Sequence, residues 1–262
     1  MQIPGDAPSL ILAGVVAAAL LYRARRKRAR SPPVTDATAV LERFDRARAQ
    51  PCEVIASPAM SEPYQLERSV HSPSRLLRRD IELVFRPDLD EEHARHPLGQ
   101  AAGVEKDAFL EQHLLAVPTW QPSTRDLSEI SEATNVERQQ LLFKFDVWAR
   151  ALRAKLAPYW CDCSCPMEGN ARYGKPTSAI YNELEGLTAL LKYDAVPVGC
   201  CGIVLHPEWQ RRAYPVTLFT TAPARRVIAA FAEVDVEFTA EGFKAGLAKA
   251  EAGTDDGPCA CR

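Results

Sequence analysis

"TNVERQQLLFKFDVWARALRAKLAP", Thr134 to Pro158, is the stretch from which the fold is read. Leu141, Phe145, Trp148, Leu152 and Leu156 recur at spacings of four and three, which places them in one apolar stripe along an α-helix. Lys144, Asp146, Arg150 and Arg153 lie off that stripe. Thr134 and Glu137 stand in capping-box order. Thr134 is therefore expected to open the helix by accepting from the Glu137 amide, with the Glu137 carboxylate reaching back. Pro158 closes it, because proline cannot continue the hydrogen-bond ladder. An aromatic stripe of this kind belongs to a core, so Phe145 and Trp148 are assigned to packing and not to a cofactor box.

C-terminal to this helix, "PTSAIYNELEGLTALLKY" (176–193) repeats the helical pattern with Ile180, Leu184, Leu187 and Leu191. The character then changes. "AVPVGCCGIVLH" (195–206) and "YPVTLFTT" (214–221) are short apolar or β-branched runs bounded by Pro, Gly and polar residues, which reads as buried strands. "PARRVIAAFAE" (223–233) reads as helix, "VDVEF" (234–238) as a half-buried strand, and "TAEGFKAGLAKAEA" (239–252) as a last helix.

N-terminal to it, "TDATAVLERFDRARAQ" (35–50) reads as a short amphipathic helix with Val40, Leu41 and Phe44 together. Residues 50–65 hold Pro51, Pro58 and Pro63 and read as irregular. "PSRLLRRDIELVF" (73–85) places Leu77, Ile81 and Val84 on one helical face. "RPDLDEEHARHPLGQAAG" (86–103) is polar and broken by Pro87, Pro97 and Gly99, so it reads as a surface loop before a short helix around "EKDAFLEQHLLA". The body is thus expected to be α+β: mainly helical, with a small mixed sheet near the C-terminus.

The N-terminus reads differently. Ser9 to Tyr22, "SLILAGVVAAALLY", carries no charge and is apolar all round, as a lipid-immersed or wholly buried helix must be. A secretory signal places its basic residues before the apolar run. Here Arg23, Arg25, Arg26, Lys27, Arg28 and Arg30 follow it. The expectation is an uncleaved single transmembrane helix, extended by snorkelling arginines, with the basic flank holding the bulk of the chain on the cytosolic or matrix-like side. Short anchors of this kind resemble the signal anchors of organelle outer membranes and of small single-pass subunits of organelle complexes. The expected division is a tail over 1–8, the anchor over 9–26, a linker and short helix over 27–62, a soluble body over 63–253 and a flexible tail over 254–262.

The chain of 262 residues has a net charge of -2, but residues 1–30 hold six of the 32 Lys and Arg and only one acid, Asp6. The body is therefore acidic on balance and has no field to attract phosphate backbones, so no nucleic-acid partner is expected.

Eight cysteines remain to be placed. In "CDCSC", Cys161, Cys163 and Cys165 alternate, so in an extended segment their thiols point the same way. A soft-metal site, zinc being the fitting ion, would use these three with Cys200 or Cys201. Structural zinc sites favour pairs two to four residues apart, and no such pair faces "CDCSC". Disulfides, acylation and plain reduced thiols are the other readings. His93 and His96, beside Glu91 and Glu92, and the single His206 in "LHPEW" are read as a solvated loop and a strand-end side chain. C-x-x-C, Gly-rich phosphate loops, G-x-S-x-G and H-E-x-x-H are all absent.

With no catalytic constellation, the sequence is read as a membrane-anchored, non-catalytic accessory, assembly or scaffold subunit of an organellar (mitochondrial) complex. Its partners would be the bilayer, through Ser9–Tyr22 and Arg23–Arg30, and other protein subunits. The alternative is a membrane-tethered metal-binding or thiol-dependent protein using Cys161, Cys163 and Cys165.

Overall fold

Two strands buried on both faces organise the molecule. The computed structural model describes residues 37–166, 168–198 and 201–251. In it β3 (Leu115–Pro122) and β7 (Ala213–Thr220) pair antiparallel along their whole length, from Leu115 opposite Thr220 to Pro122 opposite Ala213. With β1 (Glu53–Ser61), β2 (Leu66–Ser72) and β4 (Cys161–Cys163) they form one five-stranded sheet in the order β1-β2-β3-β7-β4. Every pairing in it is antiparallel.

The period-two alternation sends neighbouring side chains to opposite cores. Leu115, Val117, Val216 and Leu218 join the apolar stripe of α4 (Glu132–Leu156) and the inner face of α6 (Ala224–Val236). Ala116 and Phe219 turn the other way, onto α2 (Arg75–Arg95), α3 (Lys106–His113) and α5 (Glu183–Leu191). Helices therefore cover both faces of the sheet. A two-stranded sheet, β5 (Ala195–Val198) with β6 (Cys201–Val204), packs with α1 (Ala37–Arg48) around Phe44, Trp120 and Leu187. The last element is α7 (Ala240–Glu251).

The stripe of α4 is buried as its spacing predicts: Leu141, Phe145, Trp148, Leu152 and Leu156 all lie in the core. Its start is one turn earlier than the capping box suggested. Ser131 is the N-cap, accepting from the Thr134 amide at 3.1 Å. Glu137 instead accepts from the Ser123 hydroxyl and the Thr124 amide, 2.8 and 2.6 Å away, tying the preceding loop to the helix.

Five other expectations are corrected. The sheet is antiparallel and drawn from the whole chain, not a small mixed sheet at the C-terminus. Residues 53–61 form an edge strand despite Pro58, because two register shifts around it and the exposed edge relieve the missing donor. The helix over 75–85 continues through Pro87 to Arg95, with a kink at Phe85 (φ −108°, ψ 20°). Pro87 has no amide for the Leu83 carbonyl, and the Thr177 hydroxyl donates there instead, 3.2 Å from Leu83 O and 3.1 Å from Val84 O. "VDVEF" supplies the end of α6 in place of a strand: Val234 is buried while Val236 is 85% exposed. Similarly, α5 begins only at Glu183 behind the Asn182 cap, which leaves Ile180 outside the helix and 71% exposed.

The expected transmembrane helix is also corrected. Among the described residues no helix is long and apolar enough to cross a membrane. The stretch Ser9–Tyr22 and its basic flank lie outside the described residues, as does the tail over 254–262.

Candidate functional site: a cleft beside the cysteine strand

β4 is only three residues long, yet both of its faces and its outer edge carry side chains of consequence. Cys161 and Cys163 point together into the core against α4, while Asp162, between them, turns to the opposite face. Cys161 and Cys163 are buried free thiols, and Cys165 is buried as well. Burial pushes the thiols of Cys161 and Cys163 upward, so both stay protonated.

Of the other proposed thiol ligands, Cys200 lies outside the described residues. Cys201 opens β6 opposite Val198, and the position of its side chain is likewise outside what is described. Among the described residues no group of three or more His, Cys, Asp or Glu is arranged to hold a metal. His93 and His96 end α2 in place of lying on a solvated loop. His93 Nε2 is 2.7 Å from the Val104 carbonyl, and His96 accepts from the Leu98 amide. His206 is fully engaged, stacked on Trp209 with its ring centroid 4.1 Å away and 3.1 Å from Glu67 Oε1.

Asp162 is 1% exposed. Its Oδ1 accepts from the Cys163 and Tyr173 amides at 2.7 and 3.0 Å, and its Oδ2 from the Gly174 amide at 2.8 Å. Burial outweighs those donors and pushes its pKa up to about 6. Gly174 is required here because the chain passes between two carboxylates. A Cβ at this position would stand 2.3 Å from Asp88 Oδ2 and 2.8 Å from Asp162 Oδ2.

On the other face, Asp146 of α4 is the hub of a buried network. Its Oδ1 accepts from Arg172 Nε at 2.9 Å and from the Tyr173 hydroxyl at 2.5 Å; its Oδ2 accepts from Arg150 Nε at 3.2 Å. Burial alone would raise its pKa, but the hydrogen bond and charge of Arg172, the Tyr173 hydroxyl and the Arg150 charge hold it below the usual carboxylate range. Arg153, one turn on, donates from Nε to the Cys161 carbonyl at 2.8 Å and lies 4.0 Å over the Tyr173 ring. Sequence spacing marked Asp146 and Arg150 only as off the stripe; their four-residue separation was the available sign of a pair. Nothing local announced that Arg172, Tyr173 and Gly174 return to this strand.

A third buried carboxyl, Glu183 at the start of α5, accepts from the Ser164 hydroxyl at 2.6 Å and from Thr217, and burial raises it to about 7. Beside β4, α2 and α4 border an open cleft of about 560 Å³, lined by Arg95, Arg150, Arg153, Tyr159 and Tyr173 together with Cys161 and Asp162.

Comparison with known proteins bears on the same region. The sequence model of the MMADHC family, described as methylmalonic aciduria and homocystinuria type D protein, matches residues 34–230. The chain belongs to the MMADHC family. The matched span takes in all seven strands of the described residues and helices α1 to α5. Cobalamin trafficking protein CblD of Rattus norvegicus is 27% identical over 176 residues, 66% of this chain and 52% of that protein. The Homo sapiens protein of the same name is 26% identical over 174 residues, 65% and 51% of the two chains. The chain thus spans about half the length of the curated relatives it matches.

Membership of the MMADHC family overturns the reading as a membrane-anchored accessory subunit of an organellar complex. With that reading go its bilayer partner, its single-pass placement in an organelle membrane and its membrane-tethered thiol alternative. The relatives are named for cobalamin trafficking, and the three thiols of "CDCSC" are buried, those of Cys161 and Cys163 in the core of the sheet.

Proposed function

We propose that this chain takes part in cobalamin trafficking. One observation carries the proposal: the family match over residues 34–230 is continuous across the sheet and the helices on both its faces. The relatives it resembles carry that activity in their names. The interior agrees with a handling role better than with thiol chemistry at Cys161 or Cys163, because a thiolate nucleophile needs exposure and a lowered pKa, and these two thiols have neither.

The test is removal of the chain from the cell that makes it, followed by feeding with radiolabelled cobalamin. The expected result is that label reaching cobalamin-dependent enzymes falls and returns when the intact chain is supplied. Unchanged delivery of label would refute the proposal. A second arm carries Cys161→Ser, which is expected to lower stability without selectively abolishing delivery.

A further inference from the structure

Three guanidinium groups from two helices border the cleft beside β4. Arg95 is the last residue of α2, and Arg150 and Arg153 lie three apart on one face of α4. The carbons of the Arg150 and Arg153 guanidiniums sit 5.2 and 4.0 Å from the Tyr173 ring centroid, so the two groups share one aromatic platform. Cations near a helix C-terminus complement its dipole, which accounts for Arg95 and Arg153 singly. It does not account for their meeting in one cavity.

The acids in the same wall are engaged by the main chain. Asp88 Oδ2 accepts from the Lys175 amide at 2.9 Å, and Asp162 takes the three amides already described. Arg95 pairs with Glu92 and Arg150 with Asp146. Arg153 has no carboxylate partner among the described residues. Its Nε is held by the Cys161 carbonyl, which fixes the plane of the fork and leaves its two terminal nitrogens without a hydrogen-bond partner among the described residues. A fixed guanidinium fork of this kind is preorganised for an oxyanion.

We propose that this cleft binds the phosphate group of a small organic ligand, with Arg153 as the main donor and Arg95 and Arg150 as flanking charge. A tetrahedral phosphate accepts from donors on several sides, as the placement on two helices requires, whereas a planar carboxylate is satisfied by one fork. The cleft, at about 560 Å³, also holds Tyr159 and Tyr173, which suit the organic part of such a ligand. This inference stands independently of the cobalamin proposal.

The test is calorimetric titration of the full chain with inorganic phosphate, with acetate as the carboxylate arm. Saturable phosphate binding is expected with Kd on the order of 1 mM, acetate binding more weakly. Arg153→Met should weaken phosphate about tenfold or more, and Arg153→Lys, which keeps charge but not the fork, should weaken it less. Arg125→Met, in a different groove, should leave it unchanged. No saturable phosphate binding, acetate binding as tightly as phosphate, or an unchanged Kd in Arg153→Met overturns the proposal. Should Arg153→Met lose its circular-dichroism signature, Arg153→Lys alone decides: a weaker Kd supports the site, an unchanged one overturns it.

Discussion

Asp146 and Asp162 lie 1% exposed at neighbouring points of the structure, yet their surroundings favour opposite charge states. Asp146 meets two guanidiniums and a phenol, which hold its pKa low; Asp162 is hydrogen-bonded by backbone amides, with the Arg153 charge as a smaller help, and burial wins. Removing the hub carboxylate by Asp146→Ala leaves Arg172 buried without its partner. We expect a loss of about 3–5 kcal/mol in urea unfolding; a loss below about 1 kcal/mol would show the network to be peripheral. The pH dependence follows from the same residues. Asp146, lowered, contributes stability above the ordinary carboxylate range that is lost as pH falls through its folded pKa. Glu183 and Asp162, raised to about 7 and about 6, act in the other direction. The folded state there binds protons that the unfolded chain has released, so stability falls as pH rises from the ordinary value of 4.5 for Glu183 towards 7. Glu183→Gln should flatten that slope, read as urea midpoints across this range; an unchanged slope would place the titration elsewhere.

At the scale of elements, the kinked α2 is the point where local signals and packing disagree. Pro87 reads as a stop, but Phe85 and Leu89 are both buried against the sheet, and Thr177 supplies the donor that Pro87 lacks. Thr177→Val removes that donor at nearly constant volume and is expected to cost about 1 kcal/mol. Unchanged thermal and urea midpoints would mean that water replaces it fully. The stripe of α4 shows the opposite case, where sequence and structure agree: Leu152→Ala should cost about 2–5 kcal/mol because Leu152 is fully enclosed. These contrasts explain what was legible. Leu141 to Leu156 repeat with a helical period, and "YPVTLFTT" is a β-branched run buried on both faces, so α4 and β7 could be read directly. β1 could not, since its proline, Pro58, is tolerated only through edge position and bulges. The site was less legible still: the alternation in "CDCSC" put Cys161 and Cys163 on one side, but it gave no sign that Asp162 between them faces a cleft. Arg172 and Gly174 reach that strand through a turn that no spacing rule marks.

For the whole molecule, the family match and the sheet describe the same body. Residues 34–230 include every strand of the described residues, and α7 lies beyond the match. The amides of β3 and β7, central in the sheet and covered by helices on both sides, should therefore be the slowest to exchange with deuterium, with α7 opening earlier. Uniform protection across α7 and β7 would show that the two unfold as one unit. The central claim, that this body serves cobalamin trafficking, is tested most directly by following labelled cobalamin in cells that make the chain and in cells from which it has been removed. The account predicts reduced delivery of label to cobalamin-dependent enzymes, restored by the intact chain. Equal delivery in both would contradict it.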